Sequence, residues 1–178
     1  MSEQTQISGP IEWQVATHQI GEKGLKTKIT LDPQQLEDLE QSLEIKDLNS
    51  FECQVQITPL VKNRYKFQGK ITANFQQSSA VSLKPLPIAL NEDFSSQFWP
   101  SSQNDPVKSP ELDLEYADEI IEFYENETLD VGQLIYEQFV ISLELFPRAD
   151  GEVLEWEGDA HEEDREPSPF DVLKNLKT

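Results

Sequence analysis

Residues 130–145 restrict the fold most, because they form the longest stretch whose pattern predicts a packed helix. Asp130 suits the N-cap position, and Gln133 follows three residues later, as a capping box requires. Mostly apolar residues then recur at spacings of three and four, which places them on one helix face, and Pro147 ends the helix. That face consists of Leu134, Ile135, Phe139, Ser142, Leu143 and Phe146, widened by Ile141 and Leu145. Since so wide a face needs several neighbours to cover it, we expect a sheet wrapped around this helix.

Two runs of alternating apolar and polar residues predict an antiparallel β-hairpin. The apolar members are Phe51, Cys53, Val55 and Ile57 in the first run, and Tyr65, Phe67, Ile71, Ala73 and Phe75 in the second. Residues 58–64 connect the runs, and we interpret Gly69, which interrupts the second run, as a β-bulge. One face of the hairpin is basic and rich in amides, because the polar members of the second run are Lys66, Gln68, Lys70, Thr72, Asn74 and Gln76.

The N-terminal part of the chain predicts two more strands and a second helix. Residues 11–20 are a strand candidate, and residues 25–31 alternate as a half-buried strand does. Asp32 suits an N-cap and Pro33 the first helical position, so a helix is expected over Pro33–Leu43. Residues 47–50 then break the pattern before the hairpin begins.

The segment between the hairpin and the main helix predicts three short strands. Pro85 and Pro87 restrict residues 81–90 to an edge strand, since proline cannot donate to a sheet ladder. Residues 94–99 and 119–125 are further strand candidates. Together the elements predict an α+β fold, in which a mainly antiparallel, strongly twisted sheet packs on a central helix. A part-barrel is one form that such a sheet could take.

Composition indicates that the packed core is shorter than the chain. Only 37% of the 178 residues are hydrophobic, which is low for a chain packed over its full length. We therefore divide it into a loose N-terminus at 1–10, an α+β core domain at 11–148, an acidic linker at 149–166 and a short helical motif at 167–178. The linker holds nine acidic residues and a single Arg165, a composition that cannot form a core alone.

The two C-terminal segments each allow two interpretations. In the last motif, Phe170, Leu173 and Leu176 share one face of a short helix and are the candidate partner-binding residues. An isolated helix of this length is marginal, so this face should bury either against its own domain or against a partner. The acidic linker is either a passive tether or a mimic of nucleic acid that covers a basic surface.

Charge is distributed unevenly along the chain. The net charge of −20 repels phosphate at long range and argues against simple nucleic-acid binding. Between Glu52 and Glu92, however, no acidic residue occurs, while five basic residues do: Lys62, Arg64, Lys66, Lys70 and Lys84. The chemistry of the hairpin face would be phosphate contact by Lys62, Arg64, Lys66 and Lys70, with amides meeting ribose or base edges. The alternative is an exposed sheet face that lysines keep soluble and protect from edge pairing.

Nothing in the sequence predicts catalysis, a cofactor or a metal site. The lone Cys53 allows no internal disulfide and no zinc site of its own, and its place among apolar positions predicts a small core residue. His18 and His161 are far apart, and no glycine-rich phosphate loop is present. The absence of a long apolar run and of a secretory signal predicts a cytoplasmic protein without a membrane partner, which we expect to be a monomer.

Three stretches, in order and spacing, resemble the YceD family of large ribosomal RNA subunit accumulation proteins. They are residues 53–90, residues 129–148 with their helix leading into a proline-containing loop, and the terminal Pro-x-Pro-Phe-x-x-Leu-x-x-Leu-Lys at 167–177. The resemblance covers residues 11–177. The Phe-Pro-Arg that follows the main helix is most similar to alphaproteobacterial members.

The resemblance implies a role in 23S ribosomal RNA accumulation and in assembly of the large ribosomal subunit. Its implied partner is ribosomal RNA or a large-subunit precursor. The alternatives are an acidic adaptor that captures a basic ribosomal protein and, least favoured, an RNA-processing enzyme. Many members carry a Cys-x-x-Cys after the second hairpin strand, where this chain has Phe75, Gln76, Gln77 and Ser78, so the metal site of those relatives is not carried over.

Overall fold

Alternating strands and two capped helices build an α+β fold in the computed structural model, which describes residues 10–101 and 120–153. The strands are β1 (Gln14–Ala16), β2 (Leu25–Thr30), β3 (Lys46–Pro59), β4 (Tyr65–Ser78), β5 (Pro85–Pro100), β6 (Ile120–Tyr124) and β7 (Thr128–Asp130). The α-helices are α1 (Pro33–Leu43) and α2 (Val131–Ile141), and single 3-10 turns occupy Thr17–Gln19 and Val61–Asn63. Five strands form one sheet in the order β2-β3-β4-β5-β6, antiparallel except for the parallel pair β5–β6.

The β3–β4 hairpin is confirmed. Its apolar positions pair directly, with Cys53 opposite Ile71 and Ile57 opposite Phe67, and all four side chains are fully buried. The hairpin is longer than predicted, because β3 already begins at Lys46. The predicted break at residues 47–50 appears instead as a shift of register between Lys46 and Ser50.

Gly69 is not a bulge, which corrects the prediction. It pairs in regular register with Val55 on one side and with Phe94 on the other. The Phe94 ring lies over it, so that a Cβ atom added there would lie 2.3 Å from the nearest ring carbon. The glycine therefore interrupts the apolar pattern because its missing side chain makes room for an aromatic ring.

The two strands predicted over residues 81–90 and 94–99 are one strand, β5. It pairs with β4 from Pro85 to Phe98, whereas β6 pairs only with Ser96 to Pro100. Pro85 and Pro87 therefore lie where β5 has no described strand on its second side, as the missing N–H of proline requires. The last predicted strand, over residues 119–125, is confirmed as β6.

The N-terminal segment differs most from its prediction. Of residues 11–20 only β1 is a strand, and it pairs with β7, an element that the sequence did not single out. Gly132, at the start of α2, donates its N–H to the Trp13 carbonyl at 2.8 Å. A Cβ atom at Gly132 would lie 2.0 Å from the Ile11 carbonyl oxygen, so this close approach requires glycine.

Both helices begin where the sequence predicts. The Asp32 carboxylate accepts a hydrogen bond from the Gln35 N–H at 2.9 Å, and Asp130 accepts one from the Gln133 N–H at 3.1 Å. Helix α1 also ends as predicted, at Leu43. These N-caps satisfy backbone donors that have no partner within the helix.

Helix α2 ends at Ile141, four residues before its predicted end at Leu145. The backbone that follows is instead bonded to the end of β4 and to the β4–β5 turn. Gln77 Nε2 on β4 donates to the Glu144 carbonyl at 3.1 Å, and the Ala80 N–H in the turn donates to the Pro147 carbonyl at 2.7 Å. The predicted helix face is therefore wrong beyond Ile141, although Leu143 still packs against the core. Its outer members are largely exposed, at 73% for Ile141, 88% for Leu145 and 74% for Phe146.

Helix α2 covers one face of the sheet, which we call the inner face. The Phe139 ring packs edge-on against Phe51 on β3 at 5.2 Å between ring centroids and against Phe75 on β4 at 5.7 Å. Leu39 of α1 belongs to the same buried cluster. The described sheet does not close into a barrel, and both described helices contribute to this inner core.

Candidate nucleic-acid interface

The outer face of the sheet, opposite α2, is polar across four strands. Residues that pair directly across neighbouring strands point to the same face, so the register defines this surface. Three of its rows, read from β2 to β5, are Lys26–Gln56–Gln68–Ser95, Lys28–Gln54–Lys70–Asp93 and Thr30–Glu52–Thr72–Asn91, and a fourth from β3 to β5 is Thr58–Lys66–Gln97. Phe67 and Ile71 alternate with these residues on β4 and are fully buried, as predicted.

The structure places the four predicted phosphate-contacting residues one after another, from the β3–β4 connection along β4. Lys66 and Lys70 lie on the outer face of β4, and Arg64 directly precedes that strand. Lys62 is exposed in the hairpin connection, where its backbone is left-handed, with φ 62°. The hairpin therefore carries these residues from its tip onto the centre of the sheet.

Two lysines that sequence reasoning left out join this set. Lys26 and Lys28 lie on β2, in register with Gln56 and Gln54. The sequence shows that these lysines alternate with mostly apolar residues, but it does not show that β2 pairs with β3. With Lys70 they line a shallow depression of about 630 Å³ in the outer face.

Two exposed ion pairs cross the outer face. Lys28 Nζ lies 2.6 Å from the Glu52 carboxylate, and Lys70 Nζ lies 3.7 Å from that of Asp93. The hydrogen bond from Lys28 lowers the pKa of Glu52, with a smaller contribution from Gln54. Exposed pairs of this kind contribute little to stability, because water and salt screen them, so a phosphate can compete for these lysines. Among the residues that the structure describes, Lys66 has no carboxylate partner.

Arg64 is stacked on an aromatic ring at the end of the face. Its guanidinium carbon lies 3.4 Å from the centroid of the Trp99 ring, and Trp99 Nε1 donates to Gln97 Oε1 at 2.9 Å. Stacking uses the flat face of a guanidinium and leaves its in-plane N–H donors for an anion. Beside Arg64, a second depression of about 480 Å³ is lined by Pro59, Leu60, Val61 and Gln97.

Cys53 belongs to the core, as predicted. Its side chain is fully buried, and burial raises the pKa of its thiol to about 12, which opposes formation of a nucleophilic thiolate. His18 is exposed. Within residues 10–101 and 120–153, no three or more His, Cys, Asp and Glu side chains are grouped as metal ligands. No helix among those residues is long and apolar enough to cross a membrane.

The start of the predicted acidic linker contacts the core domain. Glu152 accepts hydrogen bonds from the Ser79 hydroxyl and, at 3.0 Å, from the Ala149 N–H. The bond from Ser79 contributes most to lowering the pKa of Glu152. The rest of the linker, with His161, and the candidate partner-binding residues Phe170, Leu173 and Leu176 lie outside the described residues.

Comparison with known proteins gives one result. The sequence model of the family described as "Large ribosomal RNA subunit accumulation protein YceD" matches residues 67–177. No curated protein and no solved structure matches the chain. The matched region starts within β4 and includes Lys70, β5, β6 and α2, and its description connects the chain with accumulation of large-subunit ribosomal RNA. Because it covers more than half of the chain, this protein belongs to the YceD family.

Proposed function

We propose that this protein binds RNA of the large ribosomal subunit, or an assembly intermediate that contains it, through the outer face of its sheet. In this way it supports accumulation of 23S ribosomal RNA in the cytoplasm without catalysing a reaction. The observation that carries the proposal is that Lys26 and Lys28 on β2 lie on the same sheet face as Lys66 and Lys70 on β4, with Lys28 and Lys70 in one row.

Local charge supports RNA binding despite the net charge of −20. Charges separated by more than about 8 Å are largely screened at physiological ionic strength, so the nearest side chains dominate the contact with a phosphate. On the outer face the four lysines outnumber the carboxylates of Glu52 and Asp93. Both of those carboxylates already lie beside a lysine.

The amides between the lysines suit RNA as well. Gln54, Gln56, Gln68 and Asn91 present both donors and acceptors on the same face. RNA offers ribose 2′-hydroxyls and base edges that can bond to such groups, while phosphate contacts set the position of the strand.

The experiment compares two triple variants of the full chain. Lys62→Gln, Lys66→Gln and Lys70→Gln remove three charges from the proposed interface, and Arg64 is kept so that the packing on Trp99 is undisturbed. The matched control, Lys23→Gln, Lys84→Gln and Arg148→Gln, removes the same charge from exposed positions in turns and after α2.

Thermal unfolding and co-sedimentation with large-subunit precursors are measured for both variants. The interface variant should fold, bind less RNA and show a flatter dependence of affinity on salt, by about 0.7 in the log–log slope for each lost contact with a single strand. The control should keep the slope of the unchanged protein. Unaltered co-sedimentation of a folded interface variant contradicts the proposal. Binding of a basic ribosomal protein, but not of RNA, would favour the adaptor alternative.

A further inference from the structure

The parallel pairing of β5 and β6 brings two aromatic residues together at the end of the outer face. Trp99 is in register with Phe123, and Gln97 with Ile121. Neighbouring strands lie about 4.8 Å apart, so the side chains of a register pair stand beside each other. Phe123 is 60% exposed, which is unusual for a phenyl ring in a sheet.

The residues next to Trp99 and Phe123 on their strands lie on the inner face, which shows that Phe123 points to the outer face. Phe98, in register with Glu122, is buried on the inner face. The pKa of Glu122 is raised, mainly by burial and then by Glu137 on α2. Glu122 therefore lies towards α2, and Phe123, the next residue on the strand, points away from it.

Cationic groups border this aromatic pair. The Arg64 guanidinium is stacked on Trp99, and Lys66 is in register with Gln97, whose amide accepts from the Trp99 indole. Trp99 is thereby held in place from two sides. The exposed Phe123 ring can therefore contact a planar apolar group, while Arg64 and Lys66 can donate hydrogen bonds to an anion beside it.

We infer that the exposed Phe123 ring, beside Trp99, is a stacking site for the unpaired bases of single-stranded RNA, with Arg64 and Lys66 contacting the adjoining phosphates. The inference rests on the proposed function and names the kind of RNA that the outer face takes. Every base has a π-face that can stack on an aromatic ring, while a duplex hides its bases from side chains of this kind. A protein partner would not require cations beside the rings.

The test measures the affinity of Phe123→Ala for a short single-stranded oligonucleotide of RNA and for a duplex RNA of the same length. Loss of one stacked base should lower single-strand affinity by about 5- to 150-fold. Duplex affinity and the salt slope should not change, because the phosphate contacts remain. The matched control is Phe146→Ala, which removes a phenyl ring that is 74% exposed in the segment after α2.

A second measurement does not depend on that variant. With Trp13→Phe and Trp156→Phe, Trp99 is the only tryptophan left of the three in the chain. Its fluorescence should be quenched by the single strand and not by the duplex.

The outcomes separate this inference from the proposed function. Equal single-strand affinity of Phe123→Ala and Phe146→Ala, with no quenching of Trp99, overturns the stacking site while the lysine variant can still uphold RNA binding. Loss of precursor co-sedimentation in Phe123→Ala without loss of single-strand affinity also overturns it and indicates a protein partner. If the unchanged protein binds neither RNA, both proposals fail.

Discussion

At the centre of the sheet, Gly69 has no side chain because the Phe94 ring occupies the space above it. A Cβ atom would lie 2.3 Å from that ring, so Gly69→Ala should destabilise the fold by about 1–3 kcal/mol, the usual cost of overpacking. Urea unfolding measures this free energy. Gly21→Ala is the control, since a Cβ atom there has no neighbour within 4 Å. Equal effects of the two substitutions would show that the ring does not select glycine.

Glu122 allows a second prediction at the level of a single residue. Its pKa is raised in the folded protein, mainly by burial, so folding favours the protonated form. The carboxylate therefore opposes folding above the raised pKa, and this penalty disappears as the pH falls below the unfolded pKa of about 4.3. Glu122→Gln should stabilise the protein at neutral pH and have little effect near pH 4. A stabilisation of the same size at both pH values would contradict the assigned cause.

At the level of elements, the residues of α2 that pack in the core lie in its first two and a half turns. Phe139 is fully buried between Phe51 and Phe75, whereas Phe146 lies beyond the helix and is mostly exposed. Phe139→Ala should therefore destabilise the protein by about 3–5 kcal/mol, and Phe146→Ala should have an effect close to zero. Equilibrium denaturation of both variants measures the difference. A large cost for Phe146→Ala would mean that the apolar segment after α2 is packed.

The N-cap of α2 offers a smaller effect at the same scale. Asp130 accepts the Gln133 N–H, so Asp130→Ala should cost about 1 kcal/mol, and Asp130→Asn should cost less because its side chain still accepts that bond. The same pair of substitutions at Asp32 is the control for α1. A loss of stability in Asp130→Asn as large as in Asp130→Ala would show that charge, and not the bond, matters.

For the molecule as a whole, salt should act on folding and on binding in opposite directions. A net charge of −20 makes the folded chain repel itself, and added salt screens that repulsion, so the melting temperature should rise with ionic strength. RNA affinity should fall by about 100- to 1000-fold over a tenfold increase in salt if three or four phosphates are bound. Thermal scans and RNA titrations in the same KCl series measure both. A melting temperature that falls with salt would mean that ion pairs such as Lys28–Glu52 outweigh the repulsion.

The sequence by itself determined the elements whose signals are local. The β3–β4 hairpin, α1 with Asp32 and the N-cap of α2 follow from side-chain periods and from caps, which depend on residues a few positions apart. Family membership followed from motif order in the same way. These features also predicted that Lys66 and Lys70 share an outward face.

Only the tertiary structure decided what lies beside those elements. The pairing of β2 with β3 puts Lys26 and Lys28 on the same face as Lys70, with Lys28 in its row, and the pairing of β6 with β5 places Phe123 beside Trp99. Helix α2 ends at Ile141, and the backbone that follows bonds to the end of β4 and to the β4–β5 turn. The physical reason is common to all three: hydrogen-bond ladders between distant segments select their partners by the geometry of the whole sheet, which no local pattern of residues contains.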